Sequence, residues 1–588
     1  MIILAILILS NLISAQSFWE STGGPPGGNV EVISEDPDGN LVIASERRGI
    51  FSSTDNGETW IEPDNNNIEK LYIYDLAFTP AGDIIAGGYG NNMYRSTDKG
   101  NNWNIIEGTH GDCFSIYIND NGDIFAGYAD IPSGIARSTD GGENWDWISN
   151  YSSFELIEGY DGNIYSASLD KGIVYSTDNG ANWNQTSLDS GFISSIEIDQ
   201  QGRIFAGGSD RTLYRSKDSA KSWEAFEIVE FDSLNESWRG SVTSLESFEG
   251  DIYASVLSYG VFKSTDAGET WIRTDNGIYD AFNWDIFEHN NALFVGSDRS
   301  GIFKSVDHGE SWAVKGPSAS SVEHMDSFSD GIYCAIDHAV FKHETNQRSW
   351  DLVTGSFQNK RINALITDNQ GNLYVSTREN GIFISPDSGK TWQNKLNEEA
   401  SLHYPAFHES TSNEIYLVTN LSELYKSPDH GSNWITVNDS LPKGASDIAS
   451  NGNKMFLASF DGILISTDQG ETWNALSDSL TKSATQDILT TDSGNIFASV
   501  EEEGIIFSSD GGDSWESRNR DLETRKFLGI EEDGSGNIYI YNNVEVYYST
   551  DNGLTWYSLS SGLEGKTINA LESNRENLYL GTRRYGVM

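Results

Sequence analysis

The 588-residue chain carries 88 acidic and 37 basic side chains, a formal charge of -51 at pH 7. A surface that acidic repels phosphate backbones and anionic lipids, which argues against nucleic acid and membrane surfaces as partners. The length asks for more than one core or for a repeat array, and 58 glycines among 12% aromatics point to an all-β protein rich in tight turns.

The first fifteen residues, MIILAILILSNLISA, are apolar and end in small residues. They read as a secretory signal peptide cleaved before Gln16, too short to span a bilayer comfortably. The expected location is therefore secreted or extracytoplasmic, with no membrane insertion after cleavage. The two cysteines, Cys113 and Cys334, sit in strand-like apolar runs, CFSIYI and IYCAI. They read as small buried hydrophobes rather than a bridge, a metal pair or a nucleophile. No cofactor and no metal are expected.

From Ser53 onward one text recurs: FSSTDNGETW at 51–60, then matching boxes from Ser96, Ser138, Ser176, Ser216, Ser264, Ser305, Ser385, Ser427, Ser466, Ser508 and Ser549. A degenerate copy, HETNQRSW, runs from His343 to Trp350. Counting it, the boxes recur every 38 to 48 residues, the period of a four-stranded propeller blade. Between boxes the chain reads strand, turn, strand, loop, strand, as in ISSIEIDQQGRIFAGGSDRTLYRS at 193–216. The first turns, such as PDGN at 37–40 and DSGN at 492–495, carry the Asp-Gly and Ser-Gly text of tight hairpins. The DNGD at 120–123 lacks the spacing of a calcium loop and reads as a turn.

This box resembles the Asp-box, or bacterial neuraminidase repeat, along nearly the whole chain beyond the signal. The resemblance implies a hairpin between the third and fourth strands of each blade. It makes Asp55, Asp98, Asp140, Asp178, Asp218, Asp266, Asp307, Asp387, Asp429, Asp468, Asp510 and Asp551 structural rather than catalytic. Beside these letters, Ser and Asp suit turn hydrogen bonds, Gly57 suits a left-handed position and Trp60 suits the wedge between blades.

Two loose ends remain: the outer-strand text SFWEST at 17–22, and three strands without a box at 567–588. The expected fold is therefore all-β, tandem seven-bladed propellers of four-stranded blades, divided as 16–312 and 313–588. Insertion of one ring into the other is the competing arrangement, and truncation at Met588 is another.

Tandem Asp-box propellers are similar to xyloglucan-degrading endoglucanases, whose family places an acid–base pair of aspartates between the rings. Its first acid lies in A-R-T-D-I-G-G-A-Y-R; the matching IASERRGIFS at 43–52 offers Glu46, lengthened and beside Arg47 and Arg48. The corresponding loop of the second ring, CAIDHAVFKH, offers Asp337. Similar loops elsewhere also carry acids, such as Asp170, Asp210, Asp298 and Asp461, and few tryptophans stand outside the boxes. A sialidase arginine triad is not apparent. The chain also resembles the non-catalytic sortilin-type and photosystem-assembly-factor propellers, which bind proteins or peptides. The leading expectation is thus a monomeric, non-catalytic binding or scaffold module for a protein or glycan ligand, with a glycoside hydrolase using Glu46 and Asp337 as the alternative. Trp238 and Arg239, in the long insertion IVEFDSLNESWRG at 228–240, and Trp284 are the candidate ligand contacts.

Overall fold

A computed structural model describes Trp19 and residues 28–588. It leaves out positions 46–48, 63–71, 130–132, 229–239, 317–321, 337–338, 345–349, 354–360, 379–380, 397–404, 420–421, 575–576 and several single residues. The described residues form antiparallel sheets and one short 3₁₀ turn at Ser479–Thr481, divided between two compact units. One unit is residues 26–320; the other joins residues 1–25 to residues 321–588.

In the 26–320 unit, seven sheets follow one another along the chain, each a meander of neighbouring strands. Their first strands, from Val30–Glu35 through Ile73–Phe78 to Asn283–His289, pack side by side, and the last returns to the first. The second strands are wholly buried, as in Ile204–Gly208, because both faces meet another sheet. That explains their continuous apolar text. Most first strands carry a bulge near their start, for example between Ile73 and Asp75, which turns the following side chain inward. The second unit repeats this plan from His324–Phe328 to Ile568–Ser573, again with seven sheets among the described residues. Both units are thus β-propellers closed on themselves, which leaves no long open edge at the ring seam.

The boxes are built alike. In the box of the third sheet, Ser138 Oγ donates to Asp140 Oδ1 at 2.9 Å and accepts the Gly142 N–H at 2.8 Å. Asp140 Oδ1 also accepts the Asn144 N–H at 2.9 Å. Equivalent bonds recur at every complete box from Ser53 to Ser549. In the first box Asn56 and Gly57 hold φ of 58° and 79°, the left-handed pair the turn requires.

The partition differs from the expected division at 312/313 in two places. The strand Ala313–Gly316 stays with the first ring, pairing Val314 with Phe303 and Ala313 with Lys304. Trp19, the one described residue before Gly28, packs instead in the second unit. The reason is a missing indole. The final sheet, Ile568–Ser573 with Leu578–Thr582, has no box tryptophan of its own, and Trp19 fills that wedge beside Val546, Leu563 and Leu580. Its Nε1–H donates to the Leu559 carbonyl at 2.7 Å, just beyond the outer strand Tyr557–Ser558. Trp556 and Trp312 do the same, reaching Arg518 and Thr274 just beyond the preceding outer strands. In chain order, then, the first ring is an insertion into the second.

Candidate functional site

Where first strands meet in the middle of a ring, polar side chains at their inward position bridge neighbouring sheets. In the first ring Asp75 Oδ2 accepts the Ile116 N–H at 2.6 Å, Glu155 Oε2 accepts Ile196 N–H at 2.8 Å, and Asp285 Oδ2 accepts Ile33 N–H at 2.8 Å. In the second ring Asp447 and Asp487 likewise accept the Ile488 and Ile530 amides, at 3.1 and 2.6 Å. Asp326 takes the Thr367 amide at 2.5 Å. Five of these six links span about one repeat, 41 residues from Asp75 to Ile116 and again from Asp447 to Ile488, and the sixth, from Asp285 to Ile33 across 252 residues, closes the first ring. These carboxylates hold sheet to sheet around the ring. Sequence reading, directed at loops, passed over them; the signal was an acid recurring just before the buried Leu or Ile of a first strand.

The first strands of all seven sheets in the second ring surround a cavity of 930 Å³. Asp326, Glu409, Asp447, Asp487, Glu531 and Glu572 line it. Each is partly exposed, on the face that lines the channel. Burial drives their pKa values upward: Asp326 to about 7, and Glu531 and Glu572 well above the ordinary carboxylate range. Asp447 is raised by burial and then by the charge of Asp487, with which it shares a hydrogen bond. Among the described residues, no group of three or more His, Cys, Asp or Glu is placed to hold a metal ion.

The repeat breaks in the sixth sheet of this ring. By register, Asp487 faces Ser499 and Ala570 faces Gly581, but here Gly529 faces Tyr541. A large phenol thus occupies a place its neighbours fill with a small residue. Gly529 makes the room: a Cβ there would lie 2.4 Å from the Tyr541 ring. Beside this break, on the face where first strands begin, opens a second cavity of 450 Å³. It shares Gln486 and Leu528 with the channel, so the two adjoin at the channel mouth.

Of the residues singled out in sequence, Glu46, Asp337, Trp238 and Arg239 lie outside the described residues. Trp284 is half-buried on the first strand Asn283–His289 of the first ring, directly before Asp285. Among the described residues its indole N–H meets no acceptor. The matching positions hold Tyr74 and Phe114, whose rings stack at 4.7 Å. Phe114 in turn meets Phe154 at 4.8 Å, and Phe154 meets Phe192 at 5.0 Å. Trp284 therefore shares the register position of this row, on a first strand and not in an outer loop. The twelve box aspartates lie on the hairpins, held below the ordinary range by hydrogen bonds; Asp140, bonded first by the Asn144 side chain, falls to about 2. His430, within a box, brings Nδ1 to 2.9 Å from Asp368 of an adjacent sheet. Cys113 and Cys334 are buried free thiols.

Comparison with known proteins follows this geometry. The family model for the photosynthesis system II assembly factor YCF48 matches residues 182–467, and that for the BNR/Asp-box repeat matches 464–475 and 547–558. No curated protein matches the sequence. Among solved structures, the GH74 xyloglucanase from Xanthomonas campestris is 15% identical, with a TM-score of 0.65 over 97% of this chain and 99% of that one. The GH74 enzyme of Niastella koreensis is 17% identical, with a TM-score of 0.60 over 96% and 98%. PorZ, a surface component of the type-IX secretion system of Porphyromonas gingivalis, is 13% identical, with a TM-score of 0.53 over 97% and 86%. The chain carries BNR/Asp-box repeats on a fold of two β-propellers. Identities this low establish the fold and leave the chemistry to the residues.

Proposed function

We propose that the chain is a non-catalytic binding module working outside the cytoplasm, with its ligand surface on the face of the second ring where the first strands begin. The observation that carries this reading is the use made of the inner carboxylates. Asp326, Asp447 and Asp487 each accept a backbone amide of the next sheet, so their lone pairs serve the ring. A general acid or base needs a carboxyl within reach of substrate and tuned by its site. The exposed cavity beside the channel instead offers apolar walls with a few polar groups, the usual make-up of a binding site. The apolar leader MIILAILILSNLISA supports export, and among the described residues no helix is long and apolar enough to cross a membrane.

The likeness to GH74 enzymes over nearly the full chain favours a second reading, glycoside hydrolysis with Glu46 and Asp337 as the acid pair. One screen separates the two. The purified protein is assayed on xyloglucan and other β-glucans beside Glu46→Gln and Asp337→Asn variants, and its binding is surveyed on peptide and glycan arrays. Retained ligands without turnover support the module; turnover lost in both variants replaces it with the hydrolase.

A further inference from the structure

We infer that the 450 Å³ cavity of the second ring is a binding site for short peptides, recognising an apolar body together with its charged ammonium and carboxylate termini. Its walls are aliphatic: Val544 is 60% and Leu528 40% exposed, over a floor of buried Phe527. Leaving two branched side chains open to water at one spot is unfavourable unless something covers them. Both are held in place. The Asn542 side chain accepts the Val544 and Glu545 amides at 2.9 Å each, fixing the turn that presents Val544. The Leu528 N–H donates to the Tyr541 carbonyl at 2.8 Å.

The rim carries both signs. Arg525 donates through Nη1 to the Glu503 carbonyl at 3.0 Å, which orients the guanidinium and leaves its other N–H groups open. Adjacent Lys526 makes no ion pair among the described residues. Glu501 and Glu545 line the same cavity. Two carboxylates disfavour a simple anion such as a fatty acid, and two cations disfavour a simple amine. Phe527, the one aromatic ring among the lining residues, is buried and offers a sugar no exposed platform on which to stack. A zwitterion with an apolar body satisfies all three constraints, its carboxylate toward Arg525 and Lys526 and its ammonium toward Glu501 and Glu545. The volume lies in the ordinary range for small ligands. A docked ligand would also lie at the channel mouth, over Gln486 and Leu528.

This site rests on the binding-module reading, and its test is separable from it. The probe is the dipeptide Leu-Leu, titrated calorimetrically into the full chain beside its N-acetylated, C-amidated form and beside octanoate. Free Leu-Leu is expected to bind in roughly the 0.1–1 mM range. The blocked form and an Arg525→Gln/Lys526→Gln variant should each bind about tenfold or more weakly, the loss of one charged hydrogen bond. Both substituted side chains are exposed, so an unchanged melting temperature verifies the fold. Equal affinity for the blocked peptide or for the variant, octanoate binding as tightly as Leu-Leu, or no heat with any peptide would each overturn the site. If the arrays then yield a ligand indifferent to the double substitution, the module stands and this cavity is not its site.

Discussion

At the scale of single residues, Ser138 shows what a box is for. Its hydroxyl, 1% exposed, accepts the Gly142 amide and orients Asp140. Ser138→Ala should strand that buried amide and cost about 1–3 kcal/mol, read as a lower denaturation midpoint, with no effect on ligand binding. The letters S-T-D-x-G-x-x-W made this legible in advance, since each letter has one local partner. The inner acids were not legible in the same way. Asp447 gains its role only when Ile488, one repeat away in the next sheet, arrives at 3.1 Å, and its own strand offers only an acid placed before a buried Ile. Gly529 was equally silent. Gly529→Ala should drive Cβ into the Tyr541 ring and destabilise the second ring by roughly 1–3 kcal/mol. Adding Tyr541→Ser, the residue found at the matching Ser499, should recover most of that loss; failure to recover would show that the phenol itself supports the channel.

At the scale of the sheet, closure is the instructive feature. Period, hairpin text and box count revealed a ring of four-stranded units. They did not reveal which ring owns Trp19, because outer strands are short and exposed and their sequences carry little register. The answer lies in a tertiary vacancy, the wedge of the final sheet, filled by an indole 4% exposed. Trp19→Ala should cost the second unit about 3–5 kcal/mol, the usual toll for an emptied aromatic site. In calorimetry one transition should fall while the transition of the 26–320 unit holds. If both fall together, the units do not unfold separately.

At the scale of the molecule, two populations of carboxyls act in opposite senses. Asp75, Asp326 and Glu197 rise to about 7 and Asp285 to about 6, all chiefly through burial. Folded, these groups hold protons more tightly than the unfolded chain, whose values are 3.8 for Asp and 4.5 for Glu. Their contribution is fully present below those values and is lost as pH climbs to about 7. The box aspartates, lowered to about 2 at Asp140, Asp218, Asp266, Asp468 and Asp510, stabilise above 3.8 and lose that as pH falls toward 2. The melting temperature should therefore peak between about pH 4 and 6 and decline on either side. Asp326→Asn should raise it at pH 7.5 and flatten the alkaline limb, whereas an unchanged limb would assign the decline to the overall charge of -51.

The bond from Trp19 to Leu559 joins residues 540 positions apart, and that span sets an order of events. The inserted ring is synthesised whole between the two partners and can fold while the chain is still growing. The outer ring receives its first piece at the start and its last only about a minute later, at ordinary rates of synthesis. Until then Trp19 has no wedge to fill, and the finished ring records that the chain was made to the end of Leu559's sheet.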